Sequence, residues 1–130
     1  MILLDTHVVI WLLLAPEQLS GKARKAILQA RRTGETIACS PVSLYEIANA
    51  ARRKRLLLNT STEDFVAAVL ARLELVPLTV AIAVRAAELP EPFHCDPMDR
   101  ILAASAIEEN CTLITHDEKI HRANVCKVLW

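Results

Sequence analysis

The chain alternates between two textures. Short, mostly apolar runs at residues 2–4, 36–39, 74–77, 112–114 and 125–129 have the length of buried strands. Between them, apolar residues return every third or fourth position, which predicts helices over 8–15, 20–32, 41–53, 62–73, 80–89 and 97–109, with a short helical turn before the last strand. Local signals mark the ends. Ser20 can cap the second helix and Gly34 can stop it; Ser40-Pro41 pairs a cap with proline at the first helical position; Ser61-Thr62-Glu63-Asp64 is a helix-start signature; Pro90 and Pro92 end the helix before them. Ala23, Ile27 and Ala30 mark one inner face, and Leu44, Ile47, Ala48 and Ala51 another. The run over 8–15 is apolar on every side, so it reads as a buried helix with Trp11 in the core. Strands alternating with helices imply an α/β fold: a three-layer α/β/α sandwich around a mostly parallel sheet.

Composition narrows this picture. A length of 130 residues suits one domain, 1–130, and 53% hydrophobic with 23% charged residues describes a folded chain. Aromatics are scarce, so Leu, Ile, Val and Ala must build the core. Lys plus Arg equal Asp plus Glu at 15 each, which excludes a broadly basic nucleic-acid surface and leaves local patches such as Arg52-Arg53-Lys54-Arg55. That run reads equally as a backbone-tracking patch or as a solvated helix end favoured by the helix dipole. Cys39, Cys95, Cys111 and Cys126 have no C-x-x-C spacing and read as reduced cytosolic thiols. The apolar run after His7 has no basic region before it and is too short to span a membrane, so neither a signal peptide nor a membrane anchor is expected.

Chemistry enters through the acids. Asp5 and Asp117 follow apolar strands, while Glu46 and Asp99 stand in the early turns of helices. In a parallel sheet, strand C-termini and the helix N-termini that follow share one edge, so these four can converge there. Each also has a plainer reading. Asp5 can be a turn residue or a cap, Glu46 a solvent-facing helix residue, and Asp117 an N-cap. Asp96-Pro97-Met98-Asp99 makes a well-formed capping sequence. Asp99 stands apart as the one acid in the early turns of an otherwise apolar helix, near the positive end of its dipole. Carboxylates about 5 Å apart repel by on the order of 3 kcal/mol at an effective dielectric of 20, and a divalent cation relieves that repulsion. Hard oxygen ligands without a His or Cys cluster suit magnesium or manganese.

Asp5-Thr6-His7 after a strand, Glu46 in the third helix, Asp96-Pro97-Met98-Asp99-Arg100 opening an apolar helix and Thr115-His116-Asp117 after a strand together resemble the PIN-domain ribonucleases. The VapC-type toxins of prokaryotic toxin–antitoxin pairs are the nearest match. The resemblance covers almost the whole chain. It implies a PIN-like fold and a Mg2+- or Mn2+-dependent endoribonuclease of the cytoplasm, dimeric and inhibited by a cognate antitoxin. Asp5, Glu46 and Asp99 match the metal-binding core, Asp117 a more variable fourth acid, and Asp96 an acid common in the subgroup. Thr6 and Thr115 match hydroxyls that orient acids or water. Arg52, Arg53, Lys54, Arg55 and Arg100 are candidate RNA contacts, Arg100 alternatively forming a salt bridge. Water activated at the metal would leave 5′-phosphate and 3′-hydroxyl ends. Met98 replaces an aromatic of many relatives, and the turn after the basic run lacks their usual glycine. His7 and His116 fall at the rim, His94 and His121 in polar packing. Two rival readings stand beside this one. A haloacid-dehalogenase-like phosphatase would want a second Asp two residues after Asp5, where the chain has His7. An inactive PIN-fold RNA- or protein-binding module would not need all four acids.

Overall fold

Three central strands of three residues each organise the molecule: β1 (Ile2–Leu4), β2 (Ile37–Cys39) and β4 (Thr112–Ile114), with the two-residue β3 (Glu74–Leu75) and β5 (Val128–Leu129) outside them. The computed structural model describes residues 1–90, 93 and 96–130; Pro92, His94 and Cys95, named in the sequence reading, lie outside the described residues. All strand pairs are parallel, in the order β3-β2-β1-β4-β5, with Leu4 level with Cys39 on one side and Ile114 on the other.

Successive strand residues face opposite sides of the sheet, and the core divides accordingly. Ile2, Leu4, Ile37, Cys39 and Ile114 pack beneath α1 (Thr6–Leu14), α2 (Gly21–Thr33), α3 (Pro41–Arg52) and α4 (Thr62–Leu70). Leu3, Ala38 and Leu113 pack beneath α5 (Val80–Glu88), α6 (Pro97–Glu108) and α7 (Glu118–Ala123). This is the three-layer sandwich expected. Leu3 and Leu113 are wholly buried, so truncating either to Ala is expected to cost about 2–5 kcal/mol.

The predicted helix starts hold closely. Ser20, Ser61 and Thr79 accept backbone N–H bonds at the openings of α2, α4 and α5, and Ser40-Pro41 opens α3. Gly34 ends α2 in the left-handed conformation at φ 71°. Other expectations shift. The first helix begins at Thr6, two residues early, and only Thr6, Val8 and Val9 are buried in it; Leu14 is 48% exposed. Sheet and α3 cover one side of it, and Trp11 is half-buried rather than in the core. On α3 the buried residues are Val42, Ser43 and Ile47, while Leu44, Ala48 and Ala51 are half-buried, because α1, α4 and α6 all lean on this helix. The fourth helix ends at Leu70, and Leu73 turns into the core below it.

Between β1 and β4 the chain's direction of travel across the sheet reverses: β1, β2 and β3 step one way, β4 and β5 the other. Ligands of open α/β sheets sit in the crevice beyond the strand C-termini at such a reversal. The residues that leave β1 and β4 there are Asp5 and Thr115.

Candidate active site

Asp5 is joined to the next strand at once. Its backbone N–H donates to the Ile114 carbonyl at 3.0 Å, and the Thr115 hydroxyl donates to its carboxylate at 2.6 Å. Asp5 occupies the N-cap position of α1, yet its side chain caps nothing. One residue on, the Thr6 hydroxyl donates to the Glu46 carboxylate, tying α1 to the second turn of α3. Asp99 enters from the first turn of α6, which leans on α3. Three segments far apart in sequence thus deliver acids to one rim, and a fourth brings the Thr115 hydroxyl.

The electrostatics record how near they are. Burial pushes the Asp5 carboxyl above its ordinary value of 3.8, against the opposing pull of the Thr115 bond and of His7, and the Asp117 charge pushes it further. Burial likewise raises Glu46; the Thr6 bond pulls it back, and Asp5 and Asp96 push it up. Asp99 is raised to about 7, first by burial and then by the charges of Asp96, Asp5, Asp117 and Glu46. Carboxyls that raise one another in this way are a site short of positive charge. The donors are hard carboxylate oxygens with hydroxyls beside them and no thiolate, which fits a magnesium or manganese ion. Among the described residues, no three His, Cys, Asp or Glu side chains are already drawn close enough to hold an ion, so the acids form an open rim.

The other two acids serve the helices they open. Asp96 accepts from the Met98 N–H at 2.9 Å as the cap of α6, and Asp117 accepts from the Lys119 and Ile120 N–H groups at 2.6 and 3.3 Å as the cap of α7. The plainer reading of each therefore stands, while their charges still reach Asp99.

Beside the rim lies a cleft of about 420 Å³ whose lining includes Thr6, His7, Glu46, Asn49, Arg53 and Arg55. The basic run reaches this cleft through its backbone. Lys54 takes a left-handed φ of 56°, and the N–H groups of Lys54 and Arg55 return to the carbonyls of Ala51 and Ala50, a helix-ending motif that ordinarily uses glycine. Arg52 turns back onto Asn49 at 3.2 Å.

Arg100 has a structural use that the sequence reading did not name. Among the described residues it makes no salt bridge; its guanidinium donates to the carbonyls of Ala86, Ala87, Leu89 and Phe93 at 2.7–3.3 Å and lies over the Phe93 ring. The last carbonyls of a helix lack intrahelical partners, and α5 ends without a glycine cap, so Arg100 closes it. His121 lies in polar packing, as expected, with Nε2 2.8 Å from the Thr115 carbonyl oxygen. Sequence reasoning passed over Asn49, which stands three residues after Glu46 on the same helix face. It also passed over the contact of His7, Trp11, His116 and Trp130, rings spread over more than a hundred residues.

Fold and site together define a doubly wound α/β protein with an acid-rimmed crevice at its topological switch point. The sequence matches the PIN domain family over residues 2–125. It is 32% identical over 131 aligned positions to Ribonuclease VapC22 of Mycobacterium tuberculosis, an alignment covering 99% of this chain and 98% of that protein. The chain belongs to the PIN-domain family and, within it, to the VapC-type ribonucleases. Solved structures share the fold, two of them as follows. VapBC2 from Rickettsia felis, bound to a DNA fragment from its promoter, has a TM-score of 0.75 at 20% identity, covering 99% of this chain and 98% of that one. A toxin-antitoxin complex from Klebsiella pneumoniae has a TM-score of 0.69 at 21% identity, covering 100% and 97%.

Proposed function

We propose that residues 1–130 work as one metal-dependent endoribonuclease, the toxin of a toxin–antitoxin pair, acting in the cytoplasm on RNA. What supports this reading is that Asp5 and Glu46, carried by segments at the sheet's switch point, both raise Asp99 through their charge, in a chain whose 32% identical relative is a VapC ribonuclease. Asp5, Glu46 and Asp99 would hold magnesium or manganese, with Asp117 at the edge of that set and Asp96 further out. An ion held there supplies Lewis acidity toward a phosphate oxygen and toward water. Thr115 and Thr6 fix the orientation of Asp5 and Glu46, each by a hydroxyl bond to one carboxylate. Arg53 and Arg55 draw the RNA backbone into the cleft beside the acids, which a formally neutral chain needs from a local patch.

An antitoxin is the natural protein partner on this reading, since a structural neighbour is a toxin-antitoxin complex. A second copy of the chain is the other: Leu75 on the edge strand β3, with Leu78, Val80 and Val84 beyond it, exposes apolar side chains in one sequence neighbourhood. Among the described residues, no helix is long and apolar enough to cross a membrane.

The test is direct. Purified chain is incubated with RNA and Mg2+ or Mn2+, the new ends are mapped, and the reaction is repeated with the small protein encoded beside the gene. Internal cleavage leaving 5′-phosphate and 3′-hydroxyl ends, abolished by chelator and by the neighbouring protein, is the expected outcome. Metal-independent cleavage, or ends bearing a cyclic phosphate, would reject the mechanism.

A further inference from the structure

Both tryptophans of the chain sit in one place. The Trp11 ring lies 5.5 Å from that of Trp130, and His116 stands edge-on to both, 5.6 Å from Trp11 at 79° and 5.3 Å from Trp130 at 75°. His7 adjoins Trp11 at 5.8 Å, one helical turn before it. In a chain with 4% aromatic residues, this brings both tryptophans and two of the four histidines together beside the acid rim. The connection to the rim is covalent and short. His7 is two residues from Asp5 and also lines the cleft, while His116 directly follows Thr115, whose hydroxyl holds Asp5.

A cluster whose task was only to pin β5 against α1 would be sealed from water. Here the two imidazoles are exposed and the two indoles, packed against the core, are only half-buried, so part of the ring surface remains open to solvent. Flat π surfaces next to a phosphate-handling site suit one class of ligand, the unpaired base of a single strand, because every base offers a π face. We propose that Trp11, His116 and Trp130, with His7 at their inner edge, form a stacking platform for a nucleobase adjoining the cleaved bond. The proposal rests on the nuclease reading above. Stacking tolerates any base, so the platform supplies affinity and holds the strand splayed across the acids, rather than choosing a sequence.

The molecule carries its own reporter, since all tryptophan emission comes from this cluster. The full chain carrying Asp99→Asn, which stops cleavage during the titration, is mixed with a single-stranded RNA of about twelve nucleotides and with an abasic strand of the same length, a span within the usual range of single-strand sites. Binding is followed separately by the anisotropy of a labelled end. Base-bearing RNA is expected to quench the emission and the abasic strand to leave it unchanged. His116→Ala should weaken RNA binding about fivefold or more, and in the otherwise unaltered enzyme should raise KM by a similar factor while kcat stays within about twofold. His116→Phe, which keeps a flat ring, should restore most of that affinity. RNA that binds by anisotropy without quenching would overturn the platform and leave the nuclease reading standing. So would a His116→Phe variant as weak as His116→Ala, or quenching by the neighbouring small protein alone. Absence of both binding and cleavage for every RNA would overturn the nuclease reading, and the platform with it.

Discussion

Three aspartates open helices at the same edge of the sheet, and they divide into two kinds. Asp96 and Asp117 cap α6 and α7 through backbone N–H groups two or three residues away. Asp5 stands at the equivalent position of α1 and caps nothing; its partner is the Thr115 hydroxyl, 110 residues further along the chain. Glu46 resembles Asp5, since its hydroxyl partner Thr6 is 40 residues away. An acid satisfied by its own helix is explained by folding. An acid that burial pushes toward its protonated form and that a distant hydroxyl holds raises the energy of the fold when ionised, and chemistry is the reason to keep it.

The largest expected effect tests that division at the level of activity. Asp5→Asn and Asp99→Asn should each lower kcat by about a thousandfold or more, whereas Asp96→Asn and Asp117→Asn should cost about tenfold or less, in parallel RNA-cleavage assays on folded protein. Equal losses in both groups would erase the distinction. A smaller effect is expected one layer out. Thr115→Val removes the hydroxyl that orients Asp5 and should reduce activity about 10- to 100-fold, with the required metal concentration raised by a similar factor.

The contrast also explains what the sequence could disclose. Strands, helices and most helix starts were legible because they depend on neighbours: Ser20 and Ser61 each cap the residue three positions on, and Ile2–Leu4 needs only its own apolarity. The acids were legible as candidates, since a parallel sheet sends strand ends and helix starts to one edge. Residue type and spacing did not separate Asp5 from Asp96, because both precede a helix and only the fold brings Thr115 to one of them. The carbonyl-closing use of Arg100 was hidden for the same reason. A cation beside a candidate ligand reads as a phosphate or carboxylate contact until α5 arrives with its uncapped carbonyls. The ring cluster was out of reach, since nothing local to Trp11 announces Trp130.

Acidity gives a third, smaller test. Asp99 has an ordinary value of 3.8 and a folded value of about 7. Below the lower value the carboxyl is protonated in both states and exacts nothing. As pH rises toward the upper value the unfolded chain releases its proton first, so the metal-free fold loses stability across that window, and Asp5 and Glu46 are raised in the same direction. A shift of that size would amount to about 4 kcal/mol in a dry site; solvent around a half-buried carboxyl reduces it to on the order of 1–2 kcal/mol. Urea unfolding in chelator should therefore show a midpoint that falls between about pH 4 and pH 7, and Asp99→Asn should flatten the fall. Magnesium or manganese should restore more stability at about pH 8 than at about pH 5, because the ionised carboxylates bind it.

The smallest effect is the sharpest, because it separates two properties of one residue. Asp96 holds the α6 N-terminus through its carboxylate oxygen and also contributes the largest charge effect on Asp99. Asp96→Asn retains an oxygen that can cap, so stability should change by only a few tenths of a kcal/mol, whereas Asp96→Ala should cost about 1 kcal/mol. Both remove the negative charge, so both should lower the Asp99 value and move the acid limb of the activity profile to lower pH. If Asp96 is a cap whose charge merely reaches the site, the two variants share the pH shift and differ in melting temperature. If Asp96 belongs with the metal-holding acids, Asp96→Asn will lose activity at every pH, and the line between the two kinds of aspartate will have to be redrawn.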